Sequence, residues 1–283
     1  MNKAKLTFLG TGTSQGVPMI GCSCNVCKSN DPRDNRLRAS AMVDINGLRI
    51  LIDAGPDFRQ QMLREGVTHI DAILLTHNHK DHTGGLDDVR AFNYIERRAT
   101  EIYCEKYVEE ALKLEYSYAF AEQKYPGAPE WHVHNIDSRP FIIQSGGPTK
   151  VLSWESGKGY SYSVVDLAEE VKSADIIPIR GMHYKLPVLG YRFGDIAYCT
   201  DMNYIPEEEF EKLQGLDHFV INCVKYGKHI SHYSLEEAIE VAKRVGAKNT
   251  WLTHLSHQLP DYETLAAQLP DGILPAYDGL VIE

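Results

Sequence analysis

The 283-residue sequence predicts an α/β domain in which short buried strands alternate with helices. Brief apolar runs rich in branched residues recur along the chain, as is typical of buried strands. Helical patterns separate several of these runs, most clearly after Ser234, where a capping box with Glu237 starts a helix. Because no repeat, linker or low-complexity segment interrupts this alternation, we predict one domain over residues 1–283.

The first part of the chain is rich in strands and turns. A strand is predicted from Lys5 to Gly10, and Asn46-Gly47 between two apolar runs is typical of a hairpin turn. The second strand of this hairpin ends at Asp53, and Pro56 favours the start of a helix that reaches about Glu65. The run from Ile70 to Leu75 predicts a third, buried strand.

Residues 86–131 have the least regular pattern, with one helix predicted from Val108 to Phe120. Many aromatic residues lie here, and we favour the interpretation that they belong to the core; the alternative is a lid near residues 92–131. Later strands are predicted at residues 141–144, 150–154, 160–165, 175–180, 188–193, 196–199, 217–222 and 249–253.

Composition narrows the classes of function. The net charge of −10 opposes a broad nucleic-acid surface, which requires clustered Lys and Arg. We find no apolar span of eighteen residues and no signal-peptide pattern, so a cytoplasmic protein without a membrane segment is expected. Cys104, Cys199 and Cys223 lie in apolar surroundings and are expected to be buried, reduced thiols.

The segment from Thr76 to Gly85 carries the most specific signal. It follows a predicted buried strand and places four metal-binding side chains on one turn: His77, His79, Asp81 and His82. Imidazole and carboxylate groups suit zinc, manganese and iron. Because four such groups within six residues cannot all reach one ion comfortably, the turn predicts two adjacent metal ions.

Three more candidate ligands follow predicted strands later in the chain. His183, Asp201 and His254 each lie where a strand gives way to a loop. In α/β sheets, binding sites form at these strand ends. Each residue alone could be a structural or solvent-facing polar group, but their order after the first turn is far more specific.

This order of motifs resembles the metallo-β-lactamase superfamily, and the resemblance extends from the Phe8–Gly12 segment to the Tyr277–Gly279 segment. It implies a four-layer αβ/βα sandwich, with two mixed sheets flanked by helices and a two-metal site at their edge. The implied ligands are His77, His79 and His183 for one ion, Asp81, His82 and His254 for the other, and Asp201 as the bridge. Asp53 matches a carboxylate that would orient a ligand.

A cysteine-rich loop near residues 21–28 predicts a separate metal. Cys22, Cys24 and Cys27 supply three thiolates, and His257 is free to complete a tetrahedral Cys₃His zinc site if His254 faces the other ions. A disulfide with one spare thiol is the alternative. This loop and the Thr253–Gln258 segment resemble the bacterial phosphoribosyl 1,2-cyclic phosphate phosphodiesterases.

His232 lies just before the capped helix, at a place where the resemblance implies a general acid that is not a metal ligand. A capping or surface role is the alternative. The implied reaction is hydrolysis of a small, cyclic phosphodiester by two divalent ions, Mn²⁺ or Zn²⁺, with Asp81 also orienting the attacking water. A structural Zn²⁺ would complete the cofactors.

Two other functions remain open at this point. A tRNA 3′-processing endonuclease shares the opening Phe8–Gly12 segment, but the chain has no basic, glycine-rich arm and is acidic. A non-hydrolytic carrier of the coenzyme-PQQ biosynthesis type is the alternative from another class. A homodimer is compatible with the resemblance, although the sequence does not set the oligomeric state.

Overall fold

Two mixed seven-stranded sheets form the centre of the computed structural model, which describes residues 3–145, 148–155, 159–166 and 170–283. In spatial order the first sheet contains β16 (Val281–Ile282), β1 (Lys5–Gly10), β2 (Ser40–Ile45), β3 (Leu48–Ile52), β4 (Ala72–Leu74), β5 (Thr100–Cys104) and β6 (Trp131–Asn135). The second contains β15 (Ile273–Pro275), β14 (Asn249–Thr253), β13 (His218–Asn222), β12 (Ile196–Cys199), β11 (Leu186–Phe193), β10 (Lys172–His183) and β7 (Phe141–Ser145).

The remaining strands form a separate antiparallel pair, β8 (Pro148–Glu155) and β9 (Gly159–Asp166). Strands β3 to β6 are parallel to one another, as are β12 to β15, whereas the other neighbours in each sheet are antiparallel. The α-helices of the described residues are α1 (Phe58–Arg64), α2 (Lys80–Thr83), α3 (Arg90–Glu96), α4 (Lys106–Glu115), α5 (Leu235–Val245) and α6 (Tyr262–Gln268).

Alternation of side chains along the first sheet explains its two apolar faces. Successive residues of a strand point to opposite faces. Leu6 and Phe8 of β1 therefore lie in the core between the sheets, whereas Leu9 packs in the core beneath the helices. On β3, Ile50 faces inward and Leu51 faces outward in the same way. Both faces are buried, so this sheet must lie between two layers.

Side chains of the second sheet also alternate between two buried faces. Tyr191 and Tyr198 contribute to the core between the sheets, and Cys199 faces the opposite side. That side is covered by the buried face of α5, including Ala238 and Ala242. The layers are therefore helix, sheet, sheet and helix, which confirms the predicted αβ/βα sandwich.

The predicted capping box is present at the start of α5. The Ser234 hydroxyl accepts a hydrogen bond from the Glu237 N–H, and the Glu237 carboxylate accepts one from the Ser234 N–H. Gly246 ends the helix with a left-handed φ of 67°. These caps satisfy backbone groups that a helix leaves unpaired at its ends.

The sequence pattern of residues 86–140 predicts no strand, yet two strands of the first sheet, β5 and β6, lie there. The predicted helix also ends earlier than expected, since α4 stops at Glu115 and a 3-10 turn follows at Ser117–Ala119. Phe92, Tyr116 and Trp131 are buried in the core beneath the helices, as the favoured interpretation expects, whereas Tyr94 and Tyr125 are exposed. The lid interpretation stays a prediction.

Cys104, Cys199 and Cys223 are buried and free of disulfides, as expected. In the part of the chain that the structure describes, no helix combines the length and the apolar character needed to cross a bilayer.

His69 provides a pH-dependent contribution to stability. Its ring contacts the carboxylates of Asp71 at 3.0 Å and Glu96 at 3.4 Å, and these hydrogen bonds raise the pKa of His69 to about 9. Because this pKa lies above the value of about 6.5 for an unfolded chain, the stabilisation is complete below about pH 6.5 and is lost as the pH rises through about 9.

We therefore expect His69→Gln to lower the free energy of unfolding at about pH 6 and to have little effect at about pH 10. Urea unfolding of the variant and the unmodified protein at both pH values measures this difference. An equal loss at the two values would show that His69 contributes by packing rather than by charge.

Candidate metal centre

The candidate ligands converge where strand ends of the two sheets meet. From the first sheet, His77 follows β4 after Leu75 and Thr76, and α2 carries Asp81 and His82. From the second sheet, His183 ends β10, and His254 follows β14 directly. The sequence expectation of a site at strand ends is therefore matched by the positions of these residues.

A close backbone approach fixes α2 against the end of β3. The Ala54 N–H donates to the His82 carbonyl at 2.8 Å, and the Gly85 N–H donates to the Ala54 carbonyl at 2.8 Å. A Cβ atom on Gly55 would lie 2.0 Å from the carbonyl oxygen of Asp81. Only glycine fits at this position, and its absence of a side chain brings Asp81 and His82 to the centre.

Three residues of the centre adopt left-handed backbone conformations: Asp53 with a φ of 61°, Asp201 with 57° and His254 with 56°. Such conformations are uncommon for non-glycine residues and cost about 1–3 kcal/mol each. All three side chains lie beside His82: Asp53 and Asp201 are 2.6 Å and 3.1 Å from its ring nitrogens, and the His254 ring is 6.1 Å away. Backbone strain of this kind is concentrated at functional sites.

The residues inferred to bind one of the two ions lie close together. Ligand atoms of Asp81, His82, Asp201 and His254 lie within 4.8 Å of one another. Asp201 places Oδ2 at 3.1 Å from His82 Nε2 and Oδ1 at 3.2 Å from His254 Nε2. Two ligands bound about 2.1 Å from one ion would be separated by about 3 to 3.4 Å, so these spacings fit a divalent ion.

The histidines inferred for the other ion are also neighbours. The ring centroid of His77 lies 4.6 Å from that of His79 and 5.6 Å from that of His183, and the last two are 5.0 Å apart. His77 is fully buried, whereas His79 is exposed to solvent. This half of the centre is therefore the half that opens to the surface.

Hydrogen bonds set the proton positions on two rings. Asp53 accepts from the Thr76 hydroxyl at 2.8 Å and from His82 Nδ1 at 2.6 Å. The Thr76 hydroxyl has given its only proton to Asp53, so at 2.9 Å it can only accept from His77 Nδ1. Both rings consequently carry hydrogen on Nδ1 and present a bare Nε2, the form that binds a metal.

His183 also carries its hydrogen on Nδ1, because this nitrogen lies 2.9 Å from the Ser231 carbonyl oxygen, which can only accept. Among the described residues, several buried ring nitrogens of the centre have no hydrogen-bond partner: Nε2 of His77, Nε2 of His82, Nδ1 of His232 and both nitrogens of His254. Buried polar atoms are seldom left without partners unless an ion or a water binds them. The donor set therefore fits metal ions.

The pKa values of buried groups in the centre are also consistent with a site for metal ions. Asp201 is buried with several histidines, and its charge and that of Asp81 outweigh the effect of burial and raise the pKa of His254 to about 9. The neighbouring histidines hold the pKa of Asp201 well below its usual range despite its burial. Ionised carboxylates at this depth require positive partners, which protons or metal ions supply.

A second cluster lies at the predicted cysteine loop. His257 Nδ1 is 3.3 Å from Cys22 Sγ and 3.5 Å from Cys24 Sγ, and Cys27 lies within 4.8 Å of all three. Sulfur and nitrogen ligands of one tetrahedral zinc ion lie about 3.6 Å apart. The Cys27 N–H and His257 lower the pKa of Cys24 to about 6, which favours the thiolate that binds zinc. All six cysteines are free of disulfides.

His232 lies beside the centre, with Nδ1 at 3.7 Å from Asp201 Oδ1 and its ring 4.6 Å from that of His183. Its nitrogen is close enough to Asp201 and His183 to form a possible three-ligand group with them. Its position thus permits either proton transfer or metal binding. The capping of α5 is performed by Ser234, so His232 has no part in it.

The sequence did not reveal two side chains that hold the centre together. Thr76 orients His77, and Asn222 at the end of β13 pairs with Met202, accepting from its N–H at 2.8 Å and donating to its carbonyl at 2.9 Å. This pairing supports the backbone next to Asp201. The available signal was a polar residue at the end of a buried strand or two residues after it.

We expect Asp53→Asn to weaken metal binding at the centre by about 10- to 100-fold, since an amide would no longer accept from both Thr76 and His82. Chelator competition measures the affinity. Asp88→Asn, which changes a half-buried carboxylate outside the centre, serves as the matched control. Equal affinity in Asp53→Asn and the unmodified protein would contradict the orienting role.

Replacing Cys27 by Ser should lower the zinc content by about one ion per chain and lower the melting temperature, because one ligand of a structural site is lost. Metal analysis and thermal unfolding measure the two effects. Ser23→Ala, at an exposed position within the same loop, is the control. Unchanged zinc in Cys27→Ser would show that the cluster holds no metal.

Comparison with known proteins agrees with this geometry. A family model described as a β-lactamase superfamily domain matches residues 48–255. The structure is similar to that of a new diphosphatase from the PhnP family, with a TM-score of 0.81, 38% identity, and coverage of 99% of this chain and 98% of that chain.

Two curated relatives differ in how much of their length is matched. An octanoyltransferase from Porphyromonas gingivalis is 38% identical over 275 residues, which is 96% of this chain but 50% of the relative. This chain therefore spans half of that protein. A ribonuclease Z from Agathobacter rectalis is 26% identical over 292 residues, covering 88% of this chain and 91% of the relative.

The family match begins with β3 and ends just after His254, so it contains every residue of the candidate centre. The cysteine loop and His257 lie outside it. The chain therefore belongs to the β-lactamase superfamily and has the αβ/βα sandwich of its metal-dependent hydrolases.

Proposed function

We propose that this chain is a two-metal phosphodiesterase that hydrolyses a small, cyclic phosphodiester such as phosphoribosyl 1,2-cyclic phosphate. The observation that carries the proposal is the convergence of five histidines and two aspartates at one edge of the sandwich, where buried ring nitrogens of His77, His82 and His254 have no hydrogen-bond partner among the described residues. The similarity to a PhnP-family diphosphatase over nearly the whole chain supports the phosphorus chemistry.

The ligand roles follow the inferred sets. His77, His79 and His183 would hold one ion, Asp81, His82 and His254 the other. Asp201 would reach both, because it lies within ligand distance of His183 of the first set as well as of His82 and His254 of the second. Bound there, two divalent ions, Mn²⁺ or Zn²⁺, would supply Lewis acidity and an activated water at neutral pH. A Zn²⁺ held by the cysteine loop would be structural.

This chain's own residues would direct the remaining steps. Asp81 is half-buried at the open side of its ligand group, so its carboxylate can accept a hydrogen bond from the attacking water and orient it. Asp53 and Thr76 would keep the ring nitrogens of His77 and His82 bare throughout. Proton delivery to the leaving oxygen would fall to His232.

The environment of His232 makes its acidity dependent on the substrate. Burial, followed by the positive charge of His254, lowers the pKa of His232 to about 3. The negative charge of a bound phosphate would raise this pKa again, because an opposite charge favours the protonated ring. A His232 ring that is protonated in the complex would give its proton to the departing alkoxide.

His232→Ala should slow phosphodiester hydrolysis at least about tenfold while leaving the metal content unchanged, since general-acid catalysis contributes about 10²–10⁴ in rate. Steady-state kinetics and metal analysis of the same samples measure both quantities. His229→Ala is the matched control, because this half-buried histidine lies in the same loop with its ring 5.1 Å from that of His232.

Two results would contradict the general-acid role. Equal rates in metal-matched samples would show that His232 moves no proton in the slow step. Loss of a metal ion together with activity would instead make His232 a ligand beside His183 and Asp201, as its position permits.

The alternatives predict different behaviour. A tRNA 3′-processing endonuclease is favoured by the ribonuclease Z relative, but the acidic chain opposes binding of a polyanion. A carrier protein would bind metal without turnover. Release of p-nitrophenol from bis(p-nitrophenyl) phosphate by metal-loaded protein separates hydrolase from carrier, and a pre-tRNA cleavage assay separates the two hydrolases. The octanoyltransferase name belongs to a protein of which this chain matches half.

A further inference from the structure

The loop of residues 225–234, between β13 and α5, carries His232. A backbone hydrogen bond from the Val224 N–H to the Tyr233 carbonyl, at 3.1 Å, closes this loop at its base. A general acid must lie within hydrogen-bond reach of the atom that it protonates. The position of the loop just before His232 must therefore be set by contacts with other segments of the chain.

The side chain of Asn203 joins this loop to the turn between β10 and β11. Its Nδ2 donates to the Ile230 carbonyl at 3.1 Å, and its Oδ1 accepts from the Tyr184 N–H at 2.8 Å. These two partners determine the orientation of the amide, because a carbonyl can only accept and an N–H can only donate. Asn203 therefore holds two separate segments at a fixed distance from each other.

The backbone around Asn203 belongs to the candidate metal centre. Asp201, the inferred bridging ligand, lies two residues before Asn203. Between them, the Met202 carbonyl accepts from the Tyr233 N–H at 2.9 Å. Met202 thus holds the loop directly after His232, and Asn203 holds it two residues before His232. The proton donor is in this way fastened on both sides to the segment that carries the bridging carboxylate.

The ring of His232 lies between two inferred metal ligands. Its centroid is 4.6 Å from that of His183 and 4.7 Å from that of His254. In the part of the chain that the structure describes, no hydrogen bond to Nδ1 of His232 fixes the ring, since this nitrogen is buried without a partner. Ring packing and the backbone of the loop therefore determine where the ring lies.

We propose that Asn203 is a positioning residue for the proton donor, and that it acts through the Ile230 carbonyl to hold His232 where it can protonate the leaving group. The proposal rests on the proposed function, which makes His232 the general acid. His232 transfers its proton to the departing oxygen as the P–O bond breaks, and Asn203 exchanges no proton. A displacement of a catalytic group by about 1 Å can cost about 10²-fold in rate, so the loss of this contact has a measurable effect.

Leaving groups of different basicity test the proposal. Asn203→Ala should lower kcat for diphenyl phosphate about tenfold, because phenolate is basic and needs a proton as it departs. In the same variant kcat for bis(p-nitrophenyl) phosphate should change by less than about twofold, since p-nitrophenolate is stable without a proton. An equal fall for both substrates, as loss of structure or metal would cause, or no fall for either would overturn the proposal.

Two further variants control this test. Asn203→Asp keeps an acceptor for the Tyr184 N–H but has no donor for the Ile230 carbonyl, so it should show the same selective loss. Asn135→Ala removes an exposed amide that donates to Glu109 at 2.9 Å, outside the candidate metal centre, and should change neither rate. Undiminished hydrolysis of diphenyl phosphate by Asn203→Asp would contradict the role of the Ile230 contact.

A double-mutant cycle shows whether Asn203 acts through His232. When His232→Ala is already present, Asn203→Ala should lower the rate for diphenyl phosphate no further, because the group that it positions is absent. A further fall of about tenfold would show that the two residues act independently, and it would overturn the proposal.

Amide hydrogen exchange provides a measurement that needs no turnover. Asn203→Ala should speed exchange of the Tyr184 amide and of residues 228–232, because both segments lose a hydrogen bond that holds them, whereas Asn135→Ala should not. If the unmodified protein hydrolyses neither diester, the proposed function fails, and faster exchange still supports Asn203 as the residue that fixes the loop. Unchanged exchange in Asn203→Ala would overturn the positioning role whatever the rates.

Discussion

The buried carboxylate of Asp53 is the interaction on which the arrangement of the centre depends. Its side chain is fully buried at the end of β3, and burial raises its pKa above the usual range although His82 opposes this effect. A buried carboxylate is costly unless several donors satisfy it. Thr76 supplies two donors and His82 a third, so the end of β3, the turn after β4 and α2 have one joint arrangement. The ring orientations of the centre follow from that arrangement.

Much of this organisation could be predicted from the sequence, because buried strands leave strong apolar patterns and the candidate metal ligands lie at the ends of these strands or a few residues after them. His77, His183 and His254 could be located for this reason. Strand β6 could not, since it is an edge strand with His132 and His134 directed at Glu101 rather than at the core. The sequence of β6 is therefore polar, and this strand belongs to the sheet only through its pairing with the neighbouring strand.

The amide side chains that join separate segments could not be predicted from sequence patterns, for a different reason. Asn203 and Asn222 act through backbone groups of other segments, and no local spacing encodes such contacts. The left-handed backbone conformations could not be predicted for the same reason, because contacts with other residues hold them. Asp201 keeps its φ of 57° because Asn222 holds the adjacent Met202 and the Thr200 hydroxyl donates to the Asp201 carboxylate. Strain at the centre is thus supported by contacts from its surroundings, which gives a rigid site before ligands bind.

The cysteine loop has a consequence for the chain as a polymer. Cys22 and His257 are 235 residues apart, yet they meet at one candidate zinc position. An ion bound there would be a reversible cross-link that closes most of the chain into a ring. Cross-links over long loops act largely by reducing the freedom of the unfolded chain, and a loop of about 100 residues already corresponds to about 4.7 kcal/mol in the entropic treatment of disulfides. Zinc bound there would restrict the unfolded chain in the same way as a long-range disulfide does.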